Sequence, residues 1–380
     1  MRFTHESLTQ RVCFVPGEAP AAVRDEVRRL GATRVMVIAA AAEADLARQV
    51  TVDVPVVLHH NEAVMHVPAE TAERARAAAT AHRVDALVTV GGGSTTGLAK
   101  AIALTSGIPI VAVPTTYAGS EATSVWGLTE GARKMTGVDA RVLPRSIVYD
   151  ATVTLSLPVA MSVASGLNAL AHCVDSMWAP RTDPVDQALA GEGIRALTAG
   201  LPSVVADPAG LEGREQMLYG AYLSAVAFSS AGSGLHHKIC HVLGGTYDLP
   251  HAQTHAVVLP YVLAFNTPAA PEAERRIADA FGTASAIEGL QRLRQTVGAP
   301  SALRHHGFNE ADIDAAANAI LDVVPASNPR LVTAHRVRRL LRAAWEGADP
   351  LTMDDRPRKA WTQQSVVPPD PAIRDGHAGP

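Results

Sequence analysis

Over the first 150 residues, short apolar runs alternate with segments of helical spacing. Arg34-Val-Met-Val-Ile-Ala, Val54-Pro-Val-Val-Leu, Ala86-Leu-Val-Thr-Val and Pro109-Ile-Val-Ala-Val are predicted as buried parallel strands, and Ser146-Ile-Val-Tyr-Asp as another. Between them, Ala69 to His82 and Ser94 to Thr105 carry a helical period. Strands alternating with helices predict βαβ units and a doubly wound, mostly parallel sheet. After about Leu155 the strand pattern stops. Helical segments follow, broken by Pro158, Pro180, Pro184, Pro202, Pro250, Pro260, Pro268 and Pro300. The predicted architecture is an α/β N-terminal domain over 1–155, an all-α C-terminal domain over 156–350 and a Pro-rich tail over 351–380.

Composition narrows the function. A net charge of −4 gives no whole-chain case for nucleic acid or an anionic membrane. No apolar run approaches the length of a membrane span, and Met1-Arg-Phe-Thr-His lacks a secretory core, so a cytoplasmic protein is expected. Cys13, Cys173 and Cys240 form no CxxC pair, which argues against a disulfide framework or a structural zinc.

Two constellations carry chemistry. Gly91-Gly92-Gly93-Ser94 follows a strand and opens a helix, where backbone N–H groups and the helix dipole favour a pyrophosphate; Ser94 can cap that helix or donate to an oxygen of the ligand. The next strand ends in Pro114-Thr115-Thr116-Tyr-Ala-Gly-Ser120, which adds hydroxyls at the edge where α/β sheets bind ligands. The second constellation is histidine-rich. His237 and His241 stand one turn apart, Asn168 and His172 repeat that spacing upstream, and His251 follows Pro250. Five of the 15 histidines lie between His236 and His255, and four polar rings on apolar segments must converge or go unsatisfied. His236 and His255 are read as ordinary core histidines, and Cys240 as space-filling.

GGGS after one strand, PTT after the next, then NALxH, HxxxHxLG and PH: this series resembles the iron-containing alcohol dehydrogenase superfamily from about residue 10 to 347. Within it the likeness is to the maleylacetate reductases, through Gly91-Gly-Gly-Ser-Thr-Thr-Gly97, Thr129 to Gly137, Arg141 to Asp150 and Ser327-Asn-Pro-Arg330. The resemblance implies a dehydroquinate synthase-like fold, a homodimer, and NADH or NADPH as cofactor. It places dinucleotide contacts at Gly91, Gly92, Gly93, Ser94, Thr115, Thr116, Ser124 and Lys134, and substrate contacts at Asn168 and Ser120. Metal-binding relatives use one Asp and three His. Here the Asp position is Asn168, the His positions are His172, His237 and His251, and His241 matches a further active-site His that binds no metal. Gly97 replaces another family Asp.

An amide offers a divalent ion no charge, so operation without metal is expected. The implied reaction is reduction of the carbon–carbon double bond of 4-oxo-hex-2-enedioate to 3-oxoadipate, a step of aromatic-compound degradation. A His-rich, cationic pocket suits such a dianion. His241 and His251 are expected to stabilise the ketone and enolate, and His172 and His237 to bind carboxylates. Asn61, uncharged where NAD-specific relatives carry an acid, predicts acceptance of both NADH and NADPH, with His59 and His60 beside it. The alternatives are a metal-dependent alcohol or polyol dehydrogenase of the same superfamily, a dehydroquinate synthase-like lyase, and a non-catalytic nucleotide-binding protein.

Overall fold

The computed structural model describes residues 2–64, 67–130 and 133–353, with Arg133, Lys134 and Thr352 as backbone only; the 354–380 part of the tail lies outside the described residues. Six strands, β1 (Arg11–Phe14), β2 (Val35–Ile38), β3 (Val56–His60), β4 (Ala86–Gly91), β5 (Ile110–Pro114) and β8 (Ser146–Tyr149), form one sheet in the order β1-β8-β5-β4-β2-β3. Every pairing in it is parallel. The central strands are apolar on both faces because helices cover both. α1 (Ala19–Arg29) and α2 (Ala44–Val50) bury Val23, Val27 and Ala47 against Val37, Val88 and Val111 on one side. α3 (Ala69–Ala81) and α4 (Gly93–Ser106) bury Ala75, Leu98 and Ile102 against Met36, Ile38 and Leu87 on the other.

The five predicted strands are all present, and three more join them. β1 is a four-residue edge strand whose pattern alternates too briefly to read. β6 (Val125–Glu130) and β7 (Arg133–Val138) form an antiparallel hairpin outside the main sheet. Asn61 follows β3, at the outer edge of the sheet.

From α5 (Val159–Ser176) onward the described chain is helical: α6 (Pro184–Ala206), α7 (Leu211–Ala231), α8 (Leu235–Tyr247), α9 (His251–Asn266), α10 (Pro271–Phe281), α11 (Ala286–Thr296), α12 (Ile313–Leu321) and α13 (Ala334–Glu346). Pro202 and Pro260 do not break helices; they sit inside α6 and α9. Each removes one backbone hydrogen bond; α9 is buried all round at Pro260, and α6 is held at Pro202 by the buried face of Leu201 and Val204. Pro184 and Pro250 do mark helix starts, as first residue and N-cap. No described helix is long and apolar enough to cross a membrane.

The two regions meet beyond the C-terminal ends of β5 and β8. Arg214, fully buried on α7, donates to the Thr154 carbonyl at 2.5 Å. The Tyr117 N–H donates to Ser165 Oγ of α5 at 3.1 Å. Gly119 comes so close to α7 that a Cβ there would lie 2.7 Å from the Ala225 methyl.

Candidate active site at the domain junction

The first two glycines of the turn leave no room for side chains. Gly91 has φ +153°, and a Cβ there would lie 2.5 Å from Thr95 Oγ1; one on Gly92 would lie 3.0 Å from the Thr116 methyl. Gly92, not Ser94, is the N-cap of α4, and no side chain caps it. The first N–H groups of a 14-residue helix are thus left for a ligand at the sheet's C-terminal edge. Thr115 and Ser124 are buried nearby, and Ser120 starts a 3₁₀ turn, Ser120–Ala122. Gly97 has a structural reason: a Cβ there would meet Val67 at 2.9 Å. Lys134 is placed on β7 by its backbone, and its side chain lies outside the described residues. Lys100 is spent on structure, donating to the Thr123 and Val125 carbonyls at 2.8 and 2.7 Å, and burial lowers its pKa to about 7.

From the docking point at Ser165, α5 leads into the histidine cluster. Asn168 lies one turn on, His172 the next, and Asp175 the next, so all three share a face and span about 15 Å of helix from Ser165. The His172 ring stacks on His237 with centroids 4.9 Å apart, and Phe228 closes over both at 4.8 and 4.2 Å. His241, one turn along α8, is half-buried with its ring 6.0 Å from His237; His251, the first residue of α9, is exposed. The predicted rings therefore converge, two buried and two towards the rim.

His236 and His255 are more than isolated core residues. His236 Nε2 and His255 Nδ1 are 2.9 Å apart, Cys240 Sγ approaches His236 Nε2 at 3.6 Å, and the His255 ring lies 4.4 Å from His251 and 4.8 Å from His237. They form a hydrogen-bonded layer directly behind the pocket.

Burial decides the charge of this cluster. Desolvation lowers the pKa of His172 and of His236 to about 3, and holds His237 and His255 well below the usual imidazole value. The four rings are neutral at physiological pH, so the expected cationic pocket is not built from them.

Asp175 was not evident in the sequence, although Asn168, His172 and Asp175 follow the i, i+4, i+7 pattern of one helix face. Its carboxylate is fully buried and accepts from the backbone N–H groups of Gly234, His236 and His237 at 2.9, 3.4 and 3.3 Å. It thereby caps α8, whose own N-cap, Gly234, offers no side chain. Gly234 is required: a Cβ there would lie 2.4 Å from Asp175 Oδ1. The carboxylate also takes the His237 Nδ1–H at 2.8 Å, which leaves the Nε2 lone pair of that ring facing the pocket. Burial raises the Asp175 pKa to about 6, and the three backbone donors oppose the rise.

Asn168 Oδ1, His172 Nδ1 and His237 Nε2 are all buried without a hydrogen-bond partner. Their suitability for a divalent ion is poor. Among the described residues, the sets of three ionisable donors lying within 4.8 Å of one another are His236–Cys240–His255 and His5–Asp183–Asp186. His172, His237 and His251 are not such a set, and the amide of Asn168 adds no negative charge.

The chain is similar over nearly its whole length to known proteins. Residues 9–151 match the family model described as iron-containing alcohol dehydrogenase, and residues 162–345 match the model for the C-terminal part of the same family. The maleylacetate reductase of Pseudomonas sp. (strain P51) is 44% identical over 352 residues, covering 92% of this chain and 99% of that one. A Corynebacterium glutamicum crystal structure described as an iron-containing alcohol dehydrogenase superposes with TM-score 0.92 at 60% identity, covering 93% and 99% of the two chains. The maleylacetate reductase of Agrobacterium tumefaciens gives TM-score 0.87 at 39% identity, covering 92% and 99%.

Proposed function

The chain belongs to the iron-containing alcohol dehydrogenase family, and within it we propose that it is an NAD(P)H-dependent maleylacetate reductase. The reaction consumes maleylacetate, reduced dinucleotide and one proton, and yields 3-oxoadipate and oxidised dinucleotide. The side chain at position 168 carries this reading beyond the likeness to curated reductases. A dianionic substrate is repelled by a carboxylate, and the pocket offers an amide there; the Asp175 carboxylate is turned away and occupied by α8. The likeness of the C. glutamicum structure favours the second reading, a metal-dependent alcohol dehydrogenase, which needs a divalent ion where the donors fit one poorly.

Gly91, Gly92 and Gly93 would hold the reduced nicotinamide dinucleotide, which would supply a hydride for the alkene carbon β to the ketone. The chain's own groups then manage charge and the proton. Electron density moves onto the ketone oxygen as an enolate, and an N–H aimed at that oxygen stabilises the transition state. His241 and His251, the rim rings, are assigned that donor role and delivery of the proton to the carbon next to the ketone. His172, neutral, has one N–H to give and is assigned to a substrate carboxylate. His237 is not: its one N–H already goes to Asp175, so it presents an acceptor to the pocket. Phe228, closing over both buried rings, excludes water from that side. The dinucleotide is expected to be either NADH or NADPH, with no metal required.

The test is nicotinamide oxidation with maleylacetate, run with and without prior chelation. Turnover that survives chelation supports the reading; alcohol oxidation that depends on added iron or zinc replaces it with the second.

A further inference from the structure

We propose that His5, Asp183 and Asp186 hold a divalent transition-metal ion of the zinc class, which fastens the N-terminal arm to the helical domain. The site is separate from the proposed reduction and rests on none of its assignments. Residues 2–10 form an arm without helix or strand, and all of them are exposed except His5 and Gln10. Gln10 Nε2 donates to the Glu121 and Pro144 carbonyls at 2.9 Å each, just before β1. Further out, His5 anchors the arm: its Nδ1 lies 2.8 Å from Asp183 Oδ2 and 3.8 Å from Asp186 Oδ1. One donor atom from each of the three residues lies within 4.8 Å of the other two.

Asp183 is the N-cap of α6. Its Oδ1 accepts from the Val185 and Asp186 N–H groups at 2.8 and 3.0 Å, which fixes the carboxylate and leaves Oδ2 for His5. Asp186, in the first turn of α6, has a side chain 0% exposed, and neither of its oxygens has a hydrogen-bond partner. Burial raises its pKa, the nearby Ser230 hydroxyl opposes the rise, and the charge of Asp183 adds to it. No Lys or Arg pairs with either acid among the described residues, and Arg181 gives its guanidinium to the Ser229 and Ser230 carbonyls. Protonating His5 does not satisfy both acids: Nδ1 carries one hydrogen, which goes to Asp183, and Asp186 is left at 3.8 Å. A divalent ion meets all three donors at once, and its charge equals that of two carboxylates. With metal–ligand bonds of about 2.0–2.2 Å, donor atoms on one ion stand about 3–3.5 Å apart, so small side-chain shifts suffice. One imidazole with two carboxylates suits zinc better than magnesium or calcium, which take oxygen ligands. The His5 side chain, 19% exposed, gives the ion a route in from solvent and water a route to complete its shell. None of the three residues is hydrogen-bonded to the histidine pocket among the described residues, so removing this ion loosens the arm and leaves the reduction intact.

Zinc titration of the metal-stripped full chain by calorimetry, in the wild type and two variants, tests this. The wild type is expected to bind zinc at this site with a Kd of about 1 µM or tighter, and His5→Ala and Asp186→Asn to weaken that event about 100-fold or more. His5→Ala changes an arm residue outside the core, so it carries the test if Asp186→Asn fails to fold. Both variants keep the histidine pocket and the His236–Cys240–His255 set, so zinc taken up there appears equally in all three proteins and subtracts out. Hydrogen exchange is the second readout: zinc is expected to slow exchange over residues 2–9 by about 10-fold or more in the wild type, and not in His5→Ala. Identical zinc isotherms for the wild type and His5→Ala overturn the proposal. Zinc binding that depends on His5 but leaves exchange of the arm unchanged also overturns it.

Discussion

Lowering the pH should unfold this protein sooner than carboxylate titration alone would, because its active site stores neutral imidazoles. His172 and His236 fall from an ordinary value of 6.5 to about 3 in the folded state. A depressed folded pKa stabilises the fold above the unfolded value, and that stability is lost as pH drops from about 6.5 towards 3. At about pH 5 each ring costs about 2 kcal/mol relative to neutral pH, since the unfolded chain is protonated there and the folded one is not. His237 and His255 act in the same direction. Asp175 opposes them: its raised folded pKa, about 6, penalises the fold at neutral pH, and protonation returns about 1.5 kcal/mol by about pH 5. The rings outnumber it, so a net loss of about 2–3 kcal/mol or more is expected between about pH 7.5 and pH 5. Urea unfolding of the metal-free protein, followed by tryptophan fluorescence at several pH values, measures it directly. A stability that is flat or rises towards pH 5 would refute the neutral-ring account of the pocket.

Three further outcomes follow from the site. Replacing His241 or His251 with Ala should lower kcat by on the order of 10² with a smaller change in KM; a loss confined to KM would make them binders only. Asn168→Asp should raise affinity for zinc or iron, read by calorimetry, and weaken reduction of the dianion; unchanged metal affinity would dissociate residue 168 from metal binding. Asp175→Asn should lower kcat about 10-fold or more and change the tautomer of His237 as read by ¹⁵N NMR. A variant that loses stability but keeps that tautomer would reduce Asp175 to a helix cap.

Much of the fold was legible because its signals are local. β2 and β5 are uninterrupted apolar runs and β4 is one broken only by Thr89, which follows from burial on both faces. β1 was not legible, since four residues at an edge carry too little pattern. Pro202 and Pro260 misled for a related reason: whether a proline breaks a helix depends on the tertiary packing around it. The histidine cluster could be foreseen from spacing, but its charge could not. Residue identity predicts a titratable ring near neutrality, whereas burial beside Phe228 and other imidazoles fixes it as neutral. Asp175 escaped notice because it acts on a residue distant in sequence, His237, and only the fold shows that contact.

The central claim is a metal-independent reduction of an unsaturated oxo-diacid. Its most direct test is to incubate exhaustively chelated enzyme with maleylacetate and a reduced dinucleotide, and to follow nicotinamide absorbance and 3-oxoadipate together. The account predicts one dinucleotide oxidised for each 3-oxoadipate formed, at a rate unchanged by chelation. No turnover of maleylacetate, together with alcohol oxidation restored by iron or zinc, would contradict it.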